Sequence, residues 1–485
     1  MTTFKKSLNL FDATSIVMGS MIGSGIFIVS ADVARATGAP GWLLVAWAVA
    51  GVMTIMAALC FGELSCLIPR AGGQYVYLRE VYNPLTGFLY GWTLFTVINT
   101  GTIAAVAMAF AKFTGVLIPA ISSQHVILDL GFTQISTVNL VAMASIAVLT
   151  WINTRGIEEG KTVQNIFTSL KVFILLAFIA TGLVYSFTHL SLTNNHSYFW
   201  NAASINPQNG GLTPLGGFSL LIALAIAMVG PVFSLDAWYD IVYAAEEVKN
   251  PSRNIPLSMI LGTLIVALLF LLVNWVYISV LPLRGSPDGA TVMERGIQFA
   301  AEDRVGTAAI YTILGKSAEV IMAIIIMIST FGCNNGIILA GARVYYTMAR
   351  DGLFFKQAAQ LNQHQVPALS LTIQGIWSCI LCLSGSYSQL LDYVIFAMLM
   401  FNFLTVLAVF ILRHRKPSAP ERTFKTPGYP LTPLLYMIMC LFLLGTLLIY
   451  KPLYTWPGLI LIATGIPVYY LIALKNKLTS SQTGD

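Results

Sequence analysis

Charge is what this 485-residue chain has least of: Asp, Glu, Lys and Arg make up 9% of it, against 57% hydrophobic residues, and the mean hydropathy is +0.78. A soluble globular protein carries about a quarter charged residues, so the bulk of the chain is not a soluble domain. Histidine is scarce as well. His125, His189, His196, His364 and His414 fall in predicted loops or at the ends of apolar runs, and no HxxxH or CxxC spacing offers a metal site. No cofactor is expected. The six cysteines, Cys60, Cys66, Cys333, Cys379, Cys382 and Cys440, lie in or beside apolar runs, and the predicted outer loops contain none. A disulfide framework, or a partner subunit joined by an external disulfide, is therefore not expected. The N-terminal MTTFKKSLNLFDATS has a basic flank but no separate apolar core with a small-residue cleavage site, so the first apolar run is read as the targeting signal.

What the chain has in abundance is apolar runs long enough to cross a bilayer, which takes about 20 residues. They recur near 10–30, 42–68, 85–118, 137–153, 162–187, 215–244, 256–281, 317–341, 368–385, 389–412, 430–449 and 455–474. Backbone without hydrogen-bond partners cannot face lipid, so the expectation is an all-α polytopic membrane protein of twelve transmembrane helices. It forms a single transporter-sized domain over 1–485, in contact with the lipid bilayer. With the N-terminus inside, eighteen Lys and Arg fall in inner segments and seven in outer ones. That bias places both termini in the cytoplasm. It also accounts for the net charge of +6, which is topological and not the footprint of a nucleic acid. The longest polar stretches are 188–214 and 282–316, both outer, while the inner loop 413–430 is basic, proline-rich and read as a tether to the last two helices.

Two of the runs contain helix breakers. The first holds GSMIGSGIF, Gly19–Phe27, and the sixth holds VGPVFSLDAWYD, 229–240, where a Gly–Pro pair removes a backbone donor. If helices one to five (10–187) and six to ten (215–412) are two units, the breaks correspond, and the odd number of spans inverts one unit relative to the other. The remaining two helices, 430–474, stand outside the repeat. Paired interruptions of this kind point to the midplane site of a secondary transporter. Taken alone, Gly19-x-x-x-Gly23 reads equally well as a helix-packing face.

A broken helix exposes N–H and C=O groups that have lost their intrahelical partners. The outer half-helix, starting near Gly25, presents N–H groups and a positive dipole end suited to a carboxylate. The inner half, ending near Met21 and Ile22, presents carbonyls suited to an ammonium group. Both groups occur in every α-amino acid. Gly23 and Gly25 let ligand and backbone approach, and Ser24 adds a hydroxyl.

Together with GSMIGSGIF, the stretches ELSCLIPRAGGQYVYLREVY, FSLDAWYDIVYAAEEVKNPSRNIP and FGCNNGIILAGARVYYTMARDGLF resemble amino acid permeases of the amino acid–polyamine–organocation (APC) superfamily, in particular bacterial relatives of the L-type amino acid transporter branch. The resemblance covers essentially the whole chain. It implies a five-plus-five inverted-repeat, LeuT-like core with helices one and six interrupted, two extra helices, alternating access, and an amino acid substrate, with exchange that is often sodium-independent. Carried over by position, Ser24 and Gly25 bind the substrate carboxylate, carbonyls near Met21 and Phe233 take the ammonium, and Phe233 is the aromatic gate. That branch often has Tyr-Asp-Gly-Trp where this chain has Leu235-Asp236-Ala237-Trp238, a departure that bears on substrate size.

Lys171 lies about ten residues into the run 162–187. A lysine at a helix centre costs about 2.5–3.5 kcal/mol on insertion scales. By the resemblance it replaces the ion of sodium-coupled relatives and links span five to the first break and to span eight. Ser234 and Asp236 lie in the second break, where Asp236 is either a helix cap or a substrate or proton contact, and Asp240 faces an internal polar network. Asn99 and Asn335, polar residues in apolar spans, either line the pocket or bridge helices. Glu63 reads as an inner gate or a packing contact, and Trp42 and Tyr90 as interfacial anchors. A channel would want repeated polar rings, and an enzyme a convergent catalytic set; the spans show neither.

Overall fold

The structure is a computed structural model that describes residue 6 and residues 8–129, 134–155, 160–188, 193–205, 211–364, 366–383, 387–417 and 419–482. Lys5, His189 and parts of the stretch 188–214 lie outside the described residues.

The helices, in chain order, are α1 (Leu10–Met21), α2 (Gly25–Ile28), α3 (Ser30–Thr37), α4 (Pro40–Leu67), α5 (Gln74–Val81), α6 (Pro84–Thr93), α7 (Asn99–Leu117), α8 (Thr137–Thr154), α9 (Gly160–Thr188) and α10 (Gly217–Ala227). They continue with α11 (Val229–Ser234), α12 (Asp240–Tyr243), α13 (Pro251–Val280), α14 (Val292–Arg295), α15 (Val305–Leu314), α16 (Lys316–Arg350), α17 (Ala368–Cys382), α18 (Tyr387–Arg415), α19 (Leu431–Tyr450) and α20 (Pro452–Gln482). Two short antiparallel hairpins, Val126–Asp129 with Gln134–Ser136 and Ala203–Ile205 with Leu212–Pro214, interrupt an otherwise helical molecule.

Helix starts follow local chemistry. Asn9 and Asp12 form a reciprocal capping box at the head of α1, at 3.0 and 2.9 Å. Pro40, Pro84 and Pro251 sit in the first turns of α4, α6 and α13, where a missing N–H costs nothing. Among the described residues, eleven helical segments are long and apolar enough to cross a membrane. The ninth predicted span is shorter than expected: α17 has 15 residues, about 22 Å at the α-helical rise, against a hydrocarbon core of about 30 Å.

Burial sorts the bundle. The third span, α6 and α7 joined through a π-helical turn Leu94–Ile98, is 94% buried over its apolar window and runs through the middle. Around it, α7 packs on α16, α4 on α13, and α1 on both α13 and α9. The last two helices lie at the periphery, α19 with 33% and α20 with 17% of their windows buried. At one end of the bundle Arg35 on α3 pairs with Asp32 and, at 2.9 Å, with Asp303. Elsewhere Arg79 on α5 pairs with Asp351, which also accepts from Tyr75 at 2.8 Å.

Glu63 is tied into the segment 413–430. Its carboxylate, 1% exposed, accepts from Arg413 Nε at 2.8 Å, Arg413 Nη2 at 2.6 Å and the Thr426 N–H at 2.8 Å, with Arg422 at 3.1 Å. Arg413 also stacks on Tyr429, 3.8 Å from the ring centroid. The loop that reads as a tether is thus clamped to α4 by a buried acid. Removing one partner of a buried ion pair costs about 3–5 kcal/mol. Glu63→Ala is therefore expected to lower the melting temperature of the detergent-solubilised protein clearly, and Glu63→Gln to lower it less. An unchanged melting temperature in both would show that the clamp carries no stability.

Candidate functional site at two helix breaks

The first break lies where the glycines and serines put it. Ile22 leaves the helical region (φ −79°, ψ 86°), residues 22–24 bend, and α2 opens at Gly25. Val29 stays in the αR region, so α2 runs on into α3. The carbonyls released by the break are taken up from neighbouring helices. Lys171 Nζ donates to Gly19 O and Ile22 O, each at 3.1 Å. Ser329 on α16 donates to Ile22 O at 3.3 Å, and Cys333 Sγ lies 3.1 Å from Ser20 O. Lys171 is buried, at 5% exposure. Spans one, five and eight are joined here.

The second break falls later than the Gly–Pro pair suggests. Gly230 and Pro231 lie inside α11, and the missing proline donor leaves only a one-residue irregularity at Met228, which keeps αR angles. The chain leaves the helix at Leu235–Tyr239, where Ala237 has φ +65°. That left-handed angle is strained for a residue with a Cβ, and it stands where the resembling branch often carries glycine.

The two breaks touch. A methyl group added to Gly25 would lie 2.1 Å from Ser234 Oγ, 2.7 Å from Ser234 Cβ and 3.1 Å from Ser234 Cα. Gly23 faces Cys333 Sγ at 3.2 Å in the same sense, whereas Gly19 abuts Gln164 and Thr168 on α9 and is a packing residue. Around the contact lies a small cavity of about 20 Å³, room for about one water, lined by Met21, Gly23, Ser24, Gly25, Phe233, Ser234 and Asp236 among others. Ser20, Thr102, Cys333 and Ile337 complete much of the wall. The sequence reading missed these four because a lone Ser, Thr, Cys or Ile in an apolar run carries no signal of direction.

Three expected pocket residues lie elsewhere. Asn99 donates to Gln374 Oε1 at 3.0 Å and packs on Gly341, so it bridges helices. Asn335 accepts from Asn153 at 2.8 Å, bridging α16 and α8. Both follow the alternative in which a polar residue in a span satisfies a neighbouring helix. Ile22 faces the Lys171 side, its carbonyl already engaged. Tyr90 is no interfacial anchor: it is 1% exposed, and its hydroxyl lies 2.6 Å from that of Tyr243. Asp236 does not cap α12, whose N-cap position is Tyr239 and has no side-chain cap. Its Oδ2 accepts from Tyr239 at 3.3 Å, while its Oδ1 is buried without a partner. Among the described residues no cluster of three His, Cys, Asp or Glu is arranged to hold a metal ion.

Two adjacent interrupted helices, with released carbonyls held by a buried lysine and a small polar cavity between the breaks, have the construction of a secondary transporter. Residues 8–472 match the amino acid permease family, and the chain belongs to that family, within the APC superfamily. It is similar to the human b(0,+)-type amino acid transporter 1, with 29% identity over 480 residues that cover 97% of this chain and 88% of the relative. The mouse protein of the same name is 27% identical over 97% of this chain and 88% of its own length. The human large neutral amino acids transporter small subunit 2 is 29% identical over 96% of this chain and 80% of its own.

Proposed function

We propose that the protein exchanges neutral L-amino acids across its membrane by alternating access, without sodium. The observation that carries this reading is the contact between the two breaks at Gly25 and Ser234, beside a cavity whose one charged lining residue is Asp236. The N–H groups at the start of α2, with Ser24, take the substrate carboxylate, and carbonyls near Met21 and Phe233 take its ammonium. Phe233 closes over the ligand. A cavity of about 20 Å³ is far smaller than any amino acid, so loading requires the halves to part, and Phe233 on the short segment α11 is placed to move. Lys171, already bonded to the carbonyls beside the first break, supplies the fixed positive charge that a coupling ion would otherwise bring.

The same reading takes 10–187 and 215–412 as inverted repeats, puts both termini in the cytoplasm of a cell with an inner or plasma membrane, and has the chain working without a disulfide-linked partner. A relative whose name marks it as a small subunit makes a non-covalent partner the alternative on the last point.

Uptake of labelled leucine into proteoliposomes is expected to rise several-fold when unlabelled leucine is loaded inside, and to be indifferent to replacing sodium by choline. No response to internal substrate together with a strong response to a proton gradient would replace exchange by proton symport. A second reading, transport of cationic amino acids, is favoured by Asp236 Oδ1, a buried carboxylate oxygen without a partner at the cavity wall.

A further inference from the structure

A second cavity, of about 180 Å³, lies away from the helix breaks and shares no lining residue with the one between them. It sits where the stretch 290–301 folds back on α15 and on the first turn of α16. Gly296 and Gly315, both at positive φ, make the reversals that end α14 and α15. The charged lining is Arg295, Arg304 and Glu319, all half-buried, and among the described residues none of the three forms an ion pair. Arg295 gives its Nε to Gly289 O at 2.6 Å; Arg304 gives Nε to Ala301 O at 3.3 Å and Nη1 to Lys112 O at 3.0 Å. Both Nη atoms of Arg295 and Nη2 of Arg304 carry no bond among the described residues. Glu302, the other acid near Arg304, bonds to Ser122 and Ser123. Thr307, 4% exposed, lines the same cavity, and its Oγ1 has no hydrogen-bond partner. A buried hydroxyl left in that state costs stability, which argues for a ligand that completes it.

The cavity stands at the head of a membrane-spanning helix. Lys316, Ser317 and Glu319 at the start of α16 are polar, and the apolar run opens at Val320. From there an exposed apolar face descends the helix: Val320 at 42%, Ile321 at 60%, and Ile324 and Ile328 at 42% each. The four-residue spacing keeps them on one side. Tyr311 at the cavity rim is 40% exposed, an amphipathic ring of the kind enriched at the level of lipid headgroups.

We propose that this cavity holds the headgroup of an ethanolamine phospholipid. Its phosphate lies on the free guanidinium edges and the Thr307 hydroxyl, its primary ammonium on Glu319, and its acyl chains along the exposed face of α16. Guanidinium groups match phosphate oxygens in a fork, with charge on both sides of each bond. A choline headgroup has no N–H to give Glu319, and a glycerol headgroup has no cation at all, so the three charged side chains together select ethanolamine. The site is separate from the amino acid reading and does not depend on it.

The test is native mass spectrometry of the full chain released from mixed micelles that contain equal amounts of phosphatidylethanolamine, phosphatidylcholine and phosphatidylglycerol. One phosphatidylethanolamine is expected to stay bound, about tenfold in excess over either competitor. Glu319→Gln should keep the phosphate contacts and bring the ethanolamine-to-choline ratio down to about one. Thr307→Val should hold or raise the melting temperature of the lipid-free protein, because it removes an unpartnered hydroxyl, and yet weaken retention of the lipid. Should either variant fail to fold, the ratio in the parent protein decides on its own. Equal retention of all three lipids, or a preference for ethanolamine that both variants keep, overturns the site and leaves only ordinary lipid around the helices. Displacement of the bound lipid by inorganic phosphate or O-phosphoethanolamine at equal concentration assigns the cavity to a soluble ligand and overturns the lipid.

Discussion

Lys171→Met is expected to abolish amino acid transport. Methionine fills about the same volume but donates nothing, so Gly19 O loses its bond from Lys171 and Ile22 O keeps only the longer one from Ser329, at 3.3 Å. A buried polar group left without its partner costs about 1–3 kcal/mol; that falls on the Gly19 carbonyl, and the weaker bonding left to Ile22 O adds to the penalty against the geometry of the first break. The strain falls on residues 22–24, the bend that opens α2 and sets the direction of its N–H groups. Uptake by the purified variant in proteoliposomes, normalised to reconstituted protein, should drop about 100-fold or more. Titrating sodium into the same assay separates two roles. If sodium restores part of the rate, the lysine occupies the position of an ion; if it does not, the ammonium acts as a hydrogen-bond donor that a bare cation cannot replace. Uptake at the parental rate without sodium would sink both.

How much of this was legible in the sequence depended on whether the cause was local. The first break is local: three glycines and two serines within Gly19–Gly25 weaken the helix where they occur, and the bend at 22–24 follows. The second is not. Pro231 removes a donor four residues after Ala227, and the surrounding packing tolerates that with a small irregularity at Met228. The actual interruption at Leu235–Tyr239 contains no glycine or proline and is marked only by the positive φ of Ala237. Lys171 could be singled out because burial of its charge is costly wherever it goes. Its partners could be named only in outline, since 149 residues separate it from Ile22. Glu63 is the extreme case, held by Arg413 across 350 residues of chain, a pairing that no local pattern encodes. Asn99 and Asn335 were ambiguous for a related reason. An amide in an apolar span must find a partner, but the partner is chosen by which helix lies opposite, and here those are Gln374 and Asn153.

Gly25→Ala is expected to lose substrate binding for a reason that the sequence reading held only in part. Glycine here admits the ligand to the backbone, but it also lets the two broken helices meet. The added methyl would lie 2.1 Å from Ser234 Oγ and 3.1 Å from Ser234 Cα, and the second distance involves backbone that no rotamer change can relieve. Ser234 Oγ is itself fixed by donation to Gly230 O at 2.8 Å. Overpacking of this kind costs about 1–3 kcal/mol, or about a tenfold loss or more in affinity if it falls on the bound state. Gly25→Val should abolish binding outright. The contact predicts a specific rescue: Ser234→Gly in the Gly25→Ala background removes the two nearest atoms and should recover part of the lost affinity in a thermal-shift titration with leucine. Residues in contact are where double mutants depart from additivity, so a positive coupling between 25 and 234 would place the lesion in the meeting of the two breaks. Strict additivity would place it in the ligand's own approach to the Gly25 backbone, leaving the contact with Ser234 as packing alone.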